Sequence, residues 1–117
     1  MEFHQWQLLM ARLDPVKGSE QGGRRPVLVV SNDEFNQNLP CLTVVPLTTT
    51  DRRLYPSEVP IPANAAGNPR DSRVLAHQIR TISQERIEAV IGELRDDKLQ
   101  RQVLDAIVDH LGFELTP

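Results

Sequence analysis

The stretch Gly18-Ser19-Glu20-Gln21-Gly22-Gly23-Arg24-Arg25-Pro26 joins three glycines, short polar side chains and two guanidinium groups directly ahead of a valine-rich segment. Glycines let backbone N–H groups approach an oxyanion closely, and an arginine forks onto its oxygens through two charge-assisted hydrogen bonds. The chemistry this composition suits is the binding of a phosphate. The competing reading is a mobile hairpin loop whose arginines are merely solvated. Further along, a hydroxyl run, Thr48-Thr49-Thr50, closes a second apolar segment. Cys41 is the lone cysteine and His4, His77 and His110 are scattered, so an intramolecular disulfide is excluded and the spacing argues against a structural zinc site.

These groups must be positioned by short elements. Gln7–Leu13 reads as a strand, and Asp14-Pro15 followed by Gly18, Gly22 and Gly23 reads as a long loop that turns more than once. Pro26–Ser31 lacks polar alternation, as in a strand buried on both faces. A polar turn around Asn32–Asn36 leads to a strand at Leu42–Leu47. Ser57–Pro62 alternates, but its prolines cannot donate to a ladder, which demotes it to an edge strand. Ala63–Asp71 reads as a loop, Ser72–Thr81 as one strand bent near Ala76-His77, and Ser83–Arg86 as a helical turn capped by Ser83. Ala89–Gly92 makes a last short strand. Asp96 or Asp97 caps a helix whose apolar face is Leu99, Val103, Ile107 and Leu111, widened by Leu104 and Val108, with Gly112 closing it. The expected fold is mainly β: a small, curled antiparallel sheet or barrel with a C-terminal helix packed on it.

A chain of 117 residues suffices for one domain, 1–117, and is too short for two with independent cores. Hydrophobic residues at 39% and charged residues at 25% are ordinary globular values, which argues against disorder or a fibrous repeat. The longest apolar runs are strand-sized, far below the ~20 residues of a membrane helix. The N-terminal segment has neither a basic n-region nor an apolar h-region, so a cytoplasmic protein is expected. The net charge of -3 is unevenly distributed: residues 1–80 carry nine bases against eight acids, and residues 81–117 four against eight. An anion site therefore belongs to the first two thirds.

The run from Asp14 to Asp33, with Gly18-Ser19-Glu20-Gln21-Gly22-Gly23-Arg24-Arg25-Pro26 at its centre, resembles the signature of the MazF/PemK toxins of bacterial toxin–antitoxin pairs. Val44-Val45-Pro46-Leu47-Thr48-Thr49 and Gln78-Ile79-Arg80-Thr81-Ile82 follow in the family's order, and the similarity spans nearly the whole chain. The resemblance implies an SH3-like, CcdB/MazF-type barrel that forms a homodimer. It also implies a sequence-specific endoribonuclease that cuts single-stranded RNA with no metal or other cofactor and is silenced by a cognate antitoxin carrying an acidic, partly disordered segment. Carried over residue by residue, Arg25 and Thr48 match the family's catalytic pair, while Ser19, Glu20, Gln21 and Gln78 match positions near bound RNA; Thr49 is a further candidate base contact.

Cleavage of this kind uses the ribose 2′-hydroxyl as nucleophile and leaves a 2′,3′-cyclic phosphate and a 5′-hydroxyl, so it needs donors for the phosphorane charge and a proton shuttle. Arg25 and Thr48 can supply the donors but are poor bases at their ordinary pKa values. Glu20, five residues before Arg25, is one candidate shuttle, or is simply solvated. Many relatives carry an acidic residue where this chain has His77, whose imidazole suits proton transfer, contact with a base, or plain hydrogen bonding within a strand. The chain also departs at its start, with Trp6-Gln7 where relatives often have a Gly-Asp or Gly-Glu pair; Trp6 reads as core or interface. A gyrase poison of the related CcdB type, or a non-catalytic interaction module, shares the fold. The tail Phe113–Pro117 lacks the tryptophan of the first, and the second would lack Arg25 or Thr48, both present here.

Overall fold

The computed structural model describes residues 2–112, and the tail motif at Phe113–Pro117 lies outside them. Seven strands form one sheet: β1 (Gln7–Arg12), β2 (Arg24–Val29), β3 (Cys41–Thr48), β4 (Glu58–Ile61), β5 (Ser72–Leu75), β6 (Arg80–Ser83) and β7 (Ile87–Glu93). They run in the order β4-β5-β3-β2-β1-β7, with β6 also on β3, and every pairing is antiparallel. The curled antiparallel sheet is as expected; it stays open and is not closed into a barrel. No helix among the described residues is long and apolar enough to cross a membrane.

Alternation along the strands gives the sheet two apolar faces. On one, Leu8, Leu28, Val45, Leu47, Val59, Ile61 and Val74 pack beneath Val103, Ala106 and Ile107 of α2 (Asp97–Leu111). On the other, Leu9, Ala11, Val27, Val29, Leu42, Val44 and Ile82 form a second cluster without the helix. Asp96 caps α2, its carboxylate accepting the Lys98 and Leu99 N–H groups, and Gly112 ends it at φ 76, donating to the Asp109 carbonyl. The apolar stripe is narrower than expected: Leu104 and Leu111 are 38% and 57% exposed, and the small Ala106 takes the buried position. Leu104 follows Val103 by about 100° around the helix, which turns it off the sheet.

Two other expectations change. The polar turn after β2 is a short helix, α1 (Asp33–Asn38), because the Asn32 side chain accepts the Phe35 N–H and so starts a helical turn that no apolar periodicity announces. Ser72–Thr81 is two strands rather than one bent strand, with a 3₁₀ turn, Ala76–Gln78, between β5 and β6. β3 pairs with β6 through Cys41–Val44 and with β5 through Leu47–Thr48, and the gap falls at Val45-Pro46, where proline has no N–H for a ladder.

Candidate functional site

The β1–β2 loop is closed at its neck: the Leu13 N–H donates to the Gly23 carbonyl at 2.8 Å, and the Gly23 N–H donates to Asp14 Oδ1 at 2.9 Å. Gly23 sits at φ 74, a conformation that a side chain would strain. Gln78, from the 3₁₀ turn beside β3, ties down the far side. Its Oε1 accepts the Gln21 N–H and its Nε2 donates to the Ser19 carbonyl, each at 3.3 Å. Half-buried Arg25 donates from Nε to the Gly22 carbonyl at 3.0 Å, which leaves its two terminal amino groups available. The loop is thus tethered at several points.

Register brings the two key residues together. On β2 and β3 the ladder runs from Val29 with Val44 to Val27 with Pro46 and stops there; continuing that register by one same-face step aligns Arg25 with Thr48. Thr48 is in turn the partner of Arg73 on β5, and Arg73 of Pro60 on β4, while Arg25 is the partner of Ala11 on β1. On that alignment one row across the face remote from α2 reads Ala11, Arg25, Thr48, Arg73, Pro60, paired as Ala11 with Arg25 and as Thr48 with Arg73 and Pro60. Thr48 is 9% exposed, and its hydroxyl lies 2.9 Å from that of Thr50 and accepts the Thr50 N–H.

Beyond Thr48 the surface opens into a groove of about 780 Å³, walled by Thr48–Asp51, Leu54, Arg70 and Arg73 among others. Its volume falls within the ~300–1,000 Å³ range of ligand sites. Beside it, the Glu58 side chain is wholly enclosed. Arg52 grips it with both terminal amino groups at 2.7 and 3.1 Å, Arg73 Nη1 donates at 3.2 Å and the Tyr55 N–H at 3.2 Å. Burial alone would push the Glu58 carboxyl up, but the hydrogen bonds from Arg52, Tyr55 and Arg73 together hold it below the ordinary carboxylate range. Arg52 also stacks 4.3 Å over the Tyr55 ring.

Of the residues singled out in the sequence, Arg25, Thr48, Ser19, Gln21 and Gln78 gather along this row and its loop, and exposed Thr49 lines the groove. Glu20 turns back on its own loop: its Oε1 accepts the Lys17 N–H at 2.8 Å. His77 faces elsewhere. Its Nδ1 is 2.9 Å from the Ser57 hydroxyl and its ring meets His110 of α2 edge-on at 6.4 Å, because adjacent residues of a 3₁₀ turn project about 120° apart and Gln78 takes the loop side. Trp6 packs against the cluster beneath α2, as its core reading required. Glu58, Arg52 and Arg73 were not singled out in the sequence; Arg52 reaches Glu58 within one loop, six residues away, and the β4–β5 register brings in Arg73. Among the described residues no three His, Cys, Asp or Glu side chains are grouped as a bound metal would need.

The family model described as PemK-like, MazF-like toxin of type II toxin–antitoxin system matches residues 4–111. Endoribonuclease EndoA of Bacillus subtilis is 43% identical over 98 residues, 83% of this chain and 84% of that protein. The solved structure of MazF (Form-I) from Deinococcus radiodurans covers 97% of this chain and 99% of its own, with a TM-score of 0.84 at 27% identity. MazE-MazF (Form-III) from the same organism covers 97% and 100%, with a TM-score of 0.78 at 26% identity.

Proposed function

Because this chain belongs to the PemK-like, MazF-like toxin family of type II toxin–antitoxin systems, we propose that it is a sequence-specific endoribonuclease that cuts single-stranded RNA without a metal or other cofactor. The observation that carries this reading is the placement of Arg25 and Thr48 on the neighbouring antiparallel strands β2 and β3, each two residues beyond the pair Val27–Pro46, with Arg25 beside a loop pinned by Gln78 and Thr48 at the groove wall. The attacking group is the RNA's own 2′-hydroxyl. It displaces the 5′-oxygen of the next nucleotide and leaves a 2′,3′-cyclic phosphate and a 5′-hydroxyl.

Negative charge builds on the non-bridging oxygens as the phosphorane forms. Arg25, fixed through Nε to Gly22, turns its remaining donors to one of them, and the Thr48 hydroxyl serves another once it exchanges Thr50 for phosphate. Ser19, Gln21, Thr49 and Gln78 border the strand on either side. Glu20, whose Oε1 accepts the Lys17 N–H, can take the 2′-hydroxyl proton on its other oxygen. The working unit is a homodimer of single 1–117 domains in the cytoplasm. Its cognate antitoxin carries an acidic segment that orders on binding and covers the same arginines, so antitoxin and RNA compete and both equilibria weaken with salt.

The test is incubation of the purified protein with a long single-stranded RNA in EDTA. Discrete fragments with cyclic-phosphate ends, made by the wild type and lost in a folded Arg25→Ala variant, are expected. Absence of cutting by the wild type, or wild-type rates in Arg25→Ala, refutes the reading.

A further inference from the structure

The cleavage scheme leaves Arg73 and Glu58 unused, yet their arrangement is costly: a carboxylate with no exposed surface sits beside an open, polar groove. Arg52 alone already satisfies that carboxylate in bidentate fashion. A second guanidinium therefore leaves one positive charge in excess. Arg73 carries it: the side chain is only 13% exposed, it spends Nη1 on Glu58 at 3.2 Å, and it keeps its other donors at the groove wall. It is also placed with respect to the cutting pair. Arg73 is the β5 partner of Thr48, and Arg25 lies on β2, on the other side of β3, two residues beyond the pair Val27–Pro46.

We propose that Arg73 binds a phosphodiester of the RNA next to the one that is cut, on the groove side of Thr48, and that Glu58 is the brace holding its guanidinium there. The assignment rests on the endoribonuclease reading above. The groove is not a uniformly basic channel, since Asp51 and Asp71 line it as well, so the phosphate is confined to the Arg73 wall. Arg73 is a binding residue in this scheme, and Glu58 a positioning one.

The experiment uses the full chain and an RNA oligonucleotide containing a site that the wild type cuts, made uncleavable by a 2′-O-methyl group at that site. Kd is measured over a range of KCl concentrations for the wild type, Arg73→Gln, Arg73→Lys and the double variant Glu58→Gln/Arg73→Gln, which leaves no unpaired carboxylate buried. Single-turnover cutting of the unmodified oligonucleotide at saturation is followed in parallel. Arg73→Gln and the double variant should both bind roughly ten- to a hundredfold more weakly at low salt, as befits one charged hydrogen bond. Both should lower the slope of log affinity against log salt by ~0.7, the share of one phosphate contact on a single strand, while Arg73→Lys keeps the slope. The saturated cutting rate should fall far less than the affinity. An unchanged slope in Arg73→Gln while the wild type binds and cuts overturns the proposal alone, as does a loss seen in the single variant but not in the double. A changed cutting sequence with an unaltered slope also overturns it, since Arg73 would then read a base. A wild type that neither binds nor cuts overturns the endoribonuclease reading and this proposal with it.

Discussion

Replacing Glu58 with alanine should be among the most destabilising changes outside the apolar core, and the structure sets its size. Four N–H donors lose their acceptor: two of Arg52, one of Arg73 and the Tyr55 backbone. Arg52 is 35% exposed and can turn to water, whereas Arg73, at 13%, is left as a mostly buried cation without its partner. Stranding one member of a buried pair costs ~3–5 kcal/mol, and water in the adjoining groove favours the lower end, about 3 kcal/mol. With an unfolding entropy of ~2.1 cal/mol/K per residue, a chain this size changes by roughly 0.25 kcal/mol per degree, so Tm should drop by about 12 °C. Thermal unfolding by circular dichroism, at one fixed protein concentration because the protein is proposed to dimerise, measures it. Removing both partners, in Glu58→Leu/Arg73→Met, should recover much of the loss. The sign with pH follows from a folded-state carboxyl held below its unfolded value: the stabilisation is complete above the ordinary glutamate pKa and disappears as pH falls through the folded one. The gap between wild type and Glu58→Ala should therefore narrow below pH ~4. A Tm within about 2 °C of wild type at pH 7, equivalent to under ~0.5 kcal/mol, would refute the reasoning.

Thr48→Ala should slow single-turnover cleavage by about tenfold or more, and Thr48→Ser should restore part of it because the hydroxyl is what is required; a serine variant as slow as alanine would contradict that. His77→Ala should lose about 1 kcal/mol of stability with the Ser57 hydrogen bond while keeping the wild-type cutting sequence and pH–rate profile, since the ring faces α2. An inflection near pH ~6.5 that vanishes in the variant would instead make His77 a proton carrier. Gly92→Ala should cost ~2–3 kcal/mol in urea unfolding, because its Cβ would stand 2.4 Å from the Ala66 carbonyl oxygen and 3.1 Å from the Gly67 Cα, backbone atoms with no rotamer to change. Unaltered stability would mean that the loop ahead of β5 can shift freely from β7.

Local sequence was sufficient wherever the cause is local. The glycine-rich run before a valine strand announced the loop between β1 and β2, apolar spacing by four with Asp96 and Gly112 at its ends announced α2, and a proline-interrupted alternation announced the edge strand β4. The resemblance to a known family then singled out Arg25, Thr48 and Gln78. Other features have causes that no window of neighbouring residues contains. A side-chain cap on Asn32 made a helix where composition read as a turn, and the missing N–H of Pro46 coincides with the split of one expected strand into β5 and β6. That split decided which way His77 faces. Above all, Arg25, Thr48 and Arg73 belong to three strands, and Glu58 to a fourth, so their relative placement depends on how the strands assemble. Register is set by which side chains the two faces of the sheet bury together, which is a property of the assembled core and not of any segment.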